Sequence, residues 1–478
     1  MVSEIASCLP AFYRIPAELL TEFARPFFDK SSPDYSQETL KILRASCPQF
    51  AYLSPVQAKL FRSIRLRASL EDVEWLETFE LARLAPFVKC ISFVPLRYSW
   101  AITFDLFKKI IALQNPPTGQ SYQLFSPNQI KEGFEFYISH ANNIKALYNS
   151  DRLEKAWIVA LQALPRTEYI RIGCLDYDYH DSQPTQVPRC HVNERFIGNT
   201  RMKSEHTALA ATVGDALLTT VAVCVASVDK KPKTLEVGCV FNGGPDWLHR
   251  PKWASISLDG LKELIFCPGD EAYDGLFCPD HRDDVVDTCA TTLASILEKC
   301  QHTLTSLGIC VPASMEYGET FIWPPHGQAV VALPKLESLW LSDMDLRPRE
   351  FASFLLKAKS LQCLDMSSTN LDGGNYSEYK YIWNAIRHHE KRMLLKFSEI
   401  IGNDAMEISL SYNTGDVIVF GDSNKGIWFA AEEALNKYLA GSGRWTQPLR
   451  WYFDGEDENE VGGDDSSNVD EMETDGDD

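Results

Sequence analysis

The sequence predicts an α/β chain: a small N-terminal helical module, then an irregular solenoid of strand, connection and helix units. Three observations predict this. An amphipathic stripe lies near the N-terminus, a three-position apolar frame recurs down the chain, and helical stripes with i, i+3, i+4 spacing sit between its copies. At 478 residues the chain has room for two to three domains, or for one core-rich body with appendages.

The N-terminal stripe is carried by Ile15, Leu19, Leu20 and Phe23, with Pro16 suited to a first helical turn. A polar loop follows, then a second amphipathic stretch from Thr39 to Ser46 with Leu40, Ile42 and Leu43. Cys47, Phe50, Leu60 and Phe61 complete the apolar set, and residues 13–66 read as a small helical unit with its own core.

The order Pro-x-Glu-Leu-Leu, leucine-bearing helix, Cys-x-x-Phe and Leu-Phe-Arg-x-Ile resembles the F-box. It is most similar to the F-box-like segments of filamentous-fungal proteins. Pro16 and Cys47 stand further apart than in a standard F-box, which places an insertion near Ser31–Gln37, and Ser46 replaces the usual valine. The resemblance implies docking onto a Skp-type adaptor and, through it, a cullin. Ile15, Pro16, Leu19, Leu20, Phe23, Leu40, Leu43, Cys47, Phe50, Leu60 and Phe61 would then divide between the module's core and the adaptor groove. A second reading stays open, in which a degenerate module merely caps a scaffold.

Over 67–374 the frame Leu336/Leu339/Leu341 recurs 25 residues on as Leu361/Leu364/Met366. It also fits Val88/Ile91/Phe93, Leu261/Leu264/Phe266 and Leu304/Leu307/Ile309, and more loosely Thr167/Ile170/Ile172 and Pro232/Leu235/Val237. Each copy ends in strand-like alternation. Between copies, Leu293, Ile296, Leu297 and Cys300 form one helical stripe, and Phe351, Phe354 and Leu355 another. Such units are the signature of leucine-rich repeats, whose strand side offers a binding face for a protein substrate. An ordinary α/β domain with irregular connections is the competing reading.

A helical insertion is expected over about 97–164. Ser126-Pro127-Asn128-Gln129 reads as a capping box opening a helix through about Tyr148, with a second helix from Asp151 to Leu164. Cys174–Arg201, Gly243–Lys252 and Pro268–Arg282 read as surface loops. Residues 375–453 read as a terminal cap with strands near Met406–Leu410 and Val417–Phe420, a helix near Trp428–Ala440 and Gly441 at its end.

Net charge is −20, but residues 454–478 hold 13 Asp or Glu and no Lys or Arg. Without that tail 53 acidic and 46 basic residues remain, a net of −7, which does not fit a phosphate-backbone binder, so no nucleic-acid partner is expected. The tail is too polar to fold, and Ser467 within it is a candidate acidophilic-kinase site.

Thirteen cysteines without a CxxC pair, and no signal peptide, predict a cytoplasmic or nuclear protein with core thiols. The longest apolar run, Ala216–Val228, is too short to span a bilayer and reads as a buried helix. No phosphate loop, dinucleotide motif, GxSxG or HExxH occurs; His388-His389 reads as a solvated helix face. Cys267, Cys278 and His281 have the residue types but not the spacing of a zinc site, and His180 with Asp176, Asp178 and Asp181 reads as a hydrated loop. No catalytic group, cofactor or metal is therefore expected.

Overall fold

The structure, a computed structural model, describes residues 19–22, 37–46, 53–94, 126–173, 207–238, 251–267, 282–310, 331–371, 378–389, 393–401 and 407–411, with shorter pieces between and beyond. These form a mixed α/β fold around one twelve-stranded sheet, ten strands of which run parallel.

The strands are β1 (Ser63–Arg67), β2 (Cys90–Val94), β3 (Tyr169–Ile172), β4 (Thr234–Val237), β5 (Glu263–Phe266) and β6 (Ser306–Cys310). After them come β7 (Ile322–Trp323), β8 (Ser338–Leu346), β9 (Cys363–Leu371), β10 (Leu394–Ile401), β11 (Glu407–Ser411) and β12 (Val419–Phe420). Each pairs with the next in chain order, except that β7 flanks β8 and leaves β6 to pair with β8 directly. The last two strands turn antiparallel. Parallel neighbours cannot be joined by tight turns, so the chain returns by crossovers.

The register is uniform. Ile64, Ile91, Ile170, Leu235, Leu264, Leu307, Leu339, Leu364 and Leu395 form one column across the sheet. Leu66, Phe93, Ile172, Val237, Phe266, Ile309, Leu341, Met366 and Phe397 form a second. All seven copies of the apolar frame are strands, with their last two positions in these columns. The looser copies lie in the same register: Ile170 and Val237 are as fully buried as Leu264, although Thr167 and Pro232 occupy the first position.

A second regularity runs along the strand entries. The carbonyl of Arg62 accepts the amides of both Lys89 and Cys90, that of Lys89 accepts Glu168 and Tyr169, and that of Glu168 accepts Lys233 and Thr234. The pattern repeats from Lys233, Lys262, Thr305 and Glu337, at 2.8–3.0 Å, and ends with Leu394 donating to Gln362 at 2.7 Å. From Arg62 to Glu337, one acceptor serving two donors satisfies backbone groups at the point where the chain bends into the strand.

The helices are α1 (Gln37–Ser46), α2 (Ser54–Leu60), α3 (Leu70–Thr78), α4 (Pro127–Asn149), α5 (Asp151–Ala163), α6 (Thr207–Ser227), α7 (Pro251–Ser255), α8 (Arg282–Cys300), α9 (Pro348–Lys357) and α10 (Tyr379–Arg387). The expected capping box opens α4: Ser126 Oγ accepts from the Gln129 amide at 3.3 Å, and Gln129 Oε1 accepts from the Ser126 amide at 2.8 Å. Pro251 and Lys252, expected in a loop, begin α7 instead; proline is tolerated there because a first-turn amide has no helical acceptor.

From α3 onward, the apolar helix faces and the two sheet columns form one continuous core. Leu293, Ile296, Leu297 and Cys300 of α8 are buried in it, as are Phe351, Phe354 and Leu355 of α9. Ring contacts tie the layers together: Phe93 meets Trp157 of α5 at 4.6 Å and Trp323 meets Phe354 at 5.0 Å between centroids. All of the run 216–228 except Val228 lies in α6, with Leu217, Leu218, Val221 and Val225 buried. Among the described residues, no helix is long and apolar enough to cross a membrane.

A separate small core joins Leu20, Leu40, Phe50, Leu53 and Val56, drawn from the helical turn at 19–22, from α1, and from α2 with the residues before it. Ser63–Arg67, which falls inside the range 13–66, belongs to the sheet, and Leu66 sits in the main core. His389 is more than a solvated face: its Nε2 lies 3.0 Å from the Ala358 carbonyl that closes α9. The tail 454–478, the loop 174–201, Gly441 and the helix start near Trp428 lie outside the described residues.

The register makes adjacent residues energetically opposite. Leu339→Ala should cost about 2–5 kcal/mol in urea unfolding, by loss of transfer free energy and cavity formation. Its neighbour Trp340→Ala should cost no more than about 1 kcal/mol. Equal losses at the two positions would contradict the assignment of faces.

Candidate interaction surfaces

Two surfaces present residues that the cores do not use. On the helical unit, Leu20, Leu40 and Phe50 are sealed in the small core. Leu19 and Ile42 point to solvent with 59% and 57% of their surface exposed. Leu60 packs partly against the core and Phe61 caps α2. Ile15, Pro16, Phe23 and Cys47 lie outside the described residues, as does the side chain of Leu43. The expected list is thus divided: three of its members hold the unit together, one is displayed, and Ile42 joins the displayed class.

The second surface is the sheet face opposite the helices. Because side chains alternate, the residue between the two apolar positions of each frame faces outward. In order from β3 these residues are Arg171, Glu236, Ile265, Gly308, Trp340 and Asp365, each in register with the next.

Glu236 is the most enclosed charge on this face, its side chain 5% exposed. Arg171 Nε donates to its Oε2 at 2.9 Å from the adjacent strand, and the Tyr169 hydroxyl donates to the same oxygen. Burial, then the hydrogen bond and charge of Glu236, hold the Tyr169 phenol well above its ordinary range. On the next rung, Thr234 Oγ1 donates to Glu263 Oε2 at 2.7 Å. Strand-to-strand pairing alone brings these groups together; they are distant in sequence.

Further along, Gly308 provides a shelf. A Cβ at this position would stand 2.8 Å from Trp340 Cε3. Only glycine lets the Cε3–Cζ3 edge of the indole come this close to β6, and Trp340 remains 37% exposed. Beyond it, Cys267 and Cys310 take facing positions at the ends of β5 and β6. Their mutual hydrogen bond and then burial push the Cys267 thiol far above the usual range. Cys224 and Cys300 are raised chiefly by burial, the latter to about 12, as expected of core thiols.

Among the described residues, no group of three or more His, Cys, Asp or Glu side chains could hold a metal ion. Cys278, His281, His180 and its aspartates lie outside those residues. The cluster Tyr169, Arg171 and Glu236 and the pair Gly308 and Trp340 were not singled out from sequence. The signal existed, since each except Tyr169 is the middle residue of an apolar-x-apolar frame. In comparisons with known proteins, no family model matches the chain, and no curated protein matches it either.

Arg171→Ala would leave the Glu236 carboxylate enclosed with only a phenol donor, at an expected cost of about 1–3 kcal/mol in urea unfolding. Adding Glu236→Gln should recover part of that loss, and a purely additive double variant would contradict the coupling. The raised Tyr169 phenol sets a sign at alkaline pH. Above about pH 10 the unfolded chain releases this proton while the folded chain keeps it, so stability should fall as pH rises. Tyr169→Phe should flatten that slope in alkaline denaturation curves.

Proposed function

We propose that this chain is a substrate-recognition subunit of a Skp–cullin–F-box ubiquitin ligase, working in the cytoplasm or nucleus. The helical unit would bind the adaptor, and the open sheet face would hold a protein substrate. The observation that carries the reading is the exposure of Leu19 and Ile42 on a unit whose described core does not include them. Displayed branched apolar side chains on short helices are the chemistry of helix docking into an apolar groove. The F-box-like order of motifs in the same segment supplies the partner's identity.

On this reading the chain performs no bond chemistry. It raises the effective concentration of a substrate lysine near a ubiquitin thioester carried by other subunits. A scaffold without ligase attachment is the second reading. The spacing between Pro16 and Cys47 favours it, because a longer loop would disturb the groove-facing helices.

The test is co-purification of the full chain with a Skp-type adaptor and cullin. The wild type should retain both. Leu19→Asp/Ile42→Asp should lose both with no change in melting temperature, because neither side chain belongs to a core. Wild-type chain that never retains the adaptor would overturn the proposal.

A further inference from the structure

We propose that Cys267 and Cys310 are a redox-responsive pair, which a peroxide closes into a reversible disulfide linking β5 to β6 across the outward face of the sheet. This goes beyond the receptor reading and rests on no part of it.

The first observation is register. On the parallel strands β5 and β6, Leu264 stands opposite Leu307 and Phe266 opposite Ile309. Each cysteine is the next residue along its strand. The ladder continues past Phe266, because the Cys267 amide donates to the Val237 carbonyl at 2.8 Å. Cys310 in turn pairs with Ser342 of β8. Phe266 and Ile309 belong to the main core, so alternation turns both thiols to the opposite face. There the two thiols hydrogen-bond to each other. Neighbouring strands lie about 4.8 Å apart, within the range of Cα separations that a disulfide accepts.

The other described cysteines lack this arrangement. Cys90 faces Ser63 and Tyr169, and Cys363 faces Ser338 and Leu394. Cys224, Cys289 and Cys300 are helix residues held in the main core. Cys267 is also buried, but outside that core.

Exposure divides the roles. Cys267 is 8% exposed, whereas Cys310 is only half-buried and is the thiol that an oxidant reaches. Cys267 keeps its proton in the hydrogen bond to Cys310, which holds it well above the usual thiol range. Cys310 therefore attacks. Its thiolate takes one oxygen of hydrogen peroxide, the O–O bond breaks, and the departing hydroxide leaves as water, giving a sulfenic acid. The Cys267 sulfur then displaces the sulfenic hydroxyl, which carries off the Cys267 proton as a second water. Two thiols are oxidised and one peroxide is reduced to two waters. The Asp343 carboxylate, whose Oδ2 lies 3.9 Å from Cys310 Sγ, disfavours the thiolate, so the pair responds to sustained rather than brief exposure.

The same geometry makes the bond reversible. The Cβ atoms of side-by-side residues on parallel strands stay about one strand spacing apart, wider than the roughly 3.8 Å of a relaxed disulfide. Closing the bond strains the strands together, and a strained disulfide is readily reduced.

The experiment exposes the native full chain to hydrogen peroxide, alkylates the remaining thiols and reads a trypsin–chymotrypsin digest by mass spectrometry. Cys267 and Cys310 should lose alkylation in parallel and appear in one linked peptide pair. Dithiothreitol added before alkylation should restore both. Cys267→Ser should instead leave Cys310 as a sulfenic acid that dimedone traps, and Cys310→Ser should leave Cys267 a free thiol. The linked pair is read in the wild type, so its detection does not depend on either variant folding. Absence of the link from native wild type would overturn the proposal. So would a link that forms only after unfolding in urea, or one that dithiothreitol does not reverse. Dimedone capture at Cys267 in Cys310→Ser would overturn the assigned roles.

Discussion

The constraint on which the rest of the structure depends is the register of the parallel ladder. Each strand must put two apolar side chains inward, level with those of its neighbours, while its backbone pairs on both sides. A slip of one residue would turn Leu339 and Leu341 to solvent and drive Trp340 into the helices. The shared carbonyls at the strand entries oppose such a slip, because each one binds two amides of the next rung. Register is thus set twice, by hydrophobic columns and by a polar edge, and the lengths of the intervening segments are free to vary.

That freedom explains how so irregular a chain makes so regular a sheet. Between β2 and β3 the chain inserts α4 and α5, whereas β8 and β9 are joined by little more than α9. Loop closure cost grows slowly with length, so a long excursion is tolerated if the next strand still finds its column. Trp157 on α5 shows the excursion returning to the core, where it packs against Phe93 of β2.

The sequence was informative where burial demanded a residue type. The frames over β2 to β9 were legible because leucine, isoleucine and phenylalanine recur at fixed offsets. The ends were harder to read. Phe61, Ile64 and Leu66 carry the same frame, but they adjoin the helical unit and read as part of it; the structure makes them the approach to β1 and its inward residues. At β10 the first frame position is Arg392, so Leu395 and Phe397 lose their marker. Hydrophobic periodicity also gave the α4 cap and the α8 stripe. It could not assemble Tyr169, Arg171 and Glu236, because 65 residues separate Arg171 from Glu236 and only strand pairing joins them.

The outward residues follow a different logic from the inward ones. No core requires an arginine at 171, a glutamate at 236, a glycine at 308 or a tryptophan at 340, and an exposed indole is an odd choice for a face that needs only solubility. Glu236 in particular carries a desolvation cost that two residues of the adjacent strand, Tyr169 and Arg171, combine to offset. Gly308 carries a backbone cost as well, since glycine weakens a strand interior. Both costs fall on the outward face, and both produce defined features: an acidic–aromatic cluster at one place and an indole edge set against a glycine at another. Inward positions keep the ladder in register; outward positions give its open face a surface of its own.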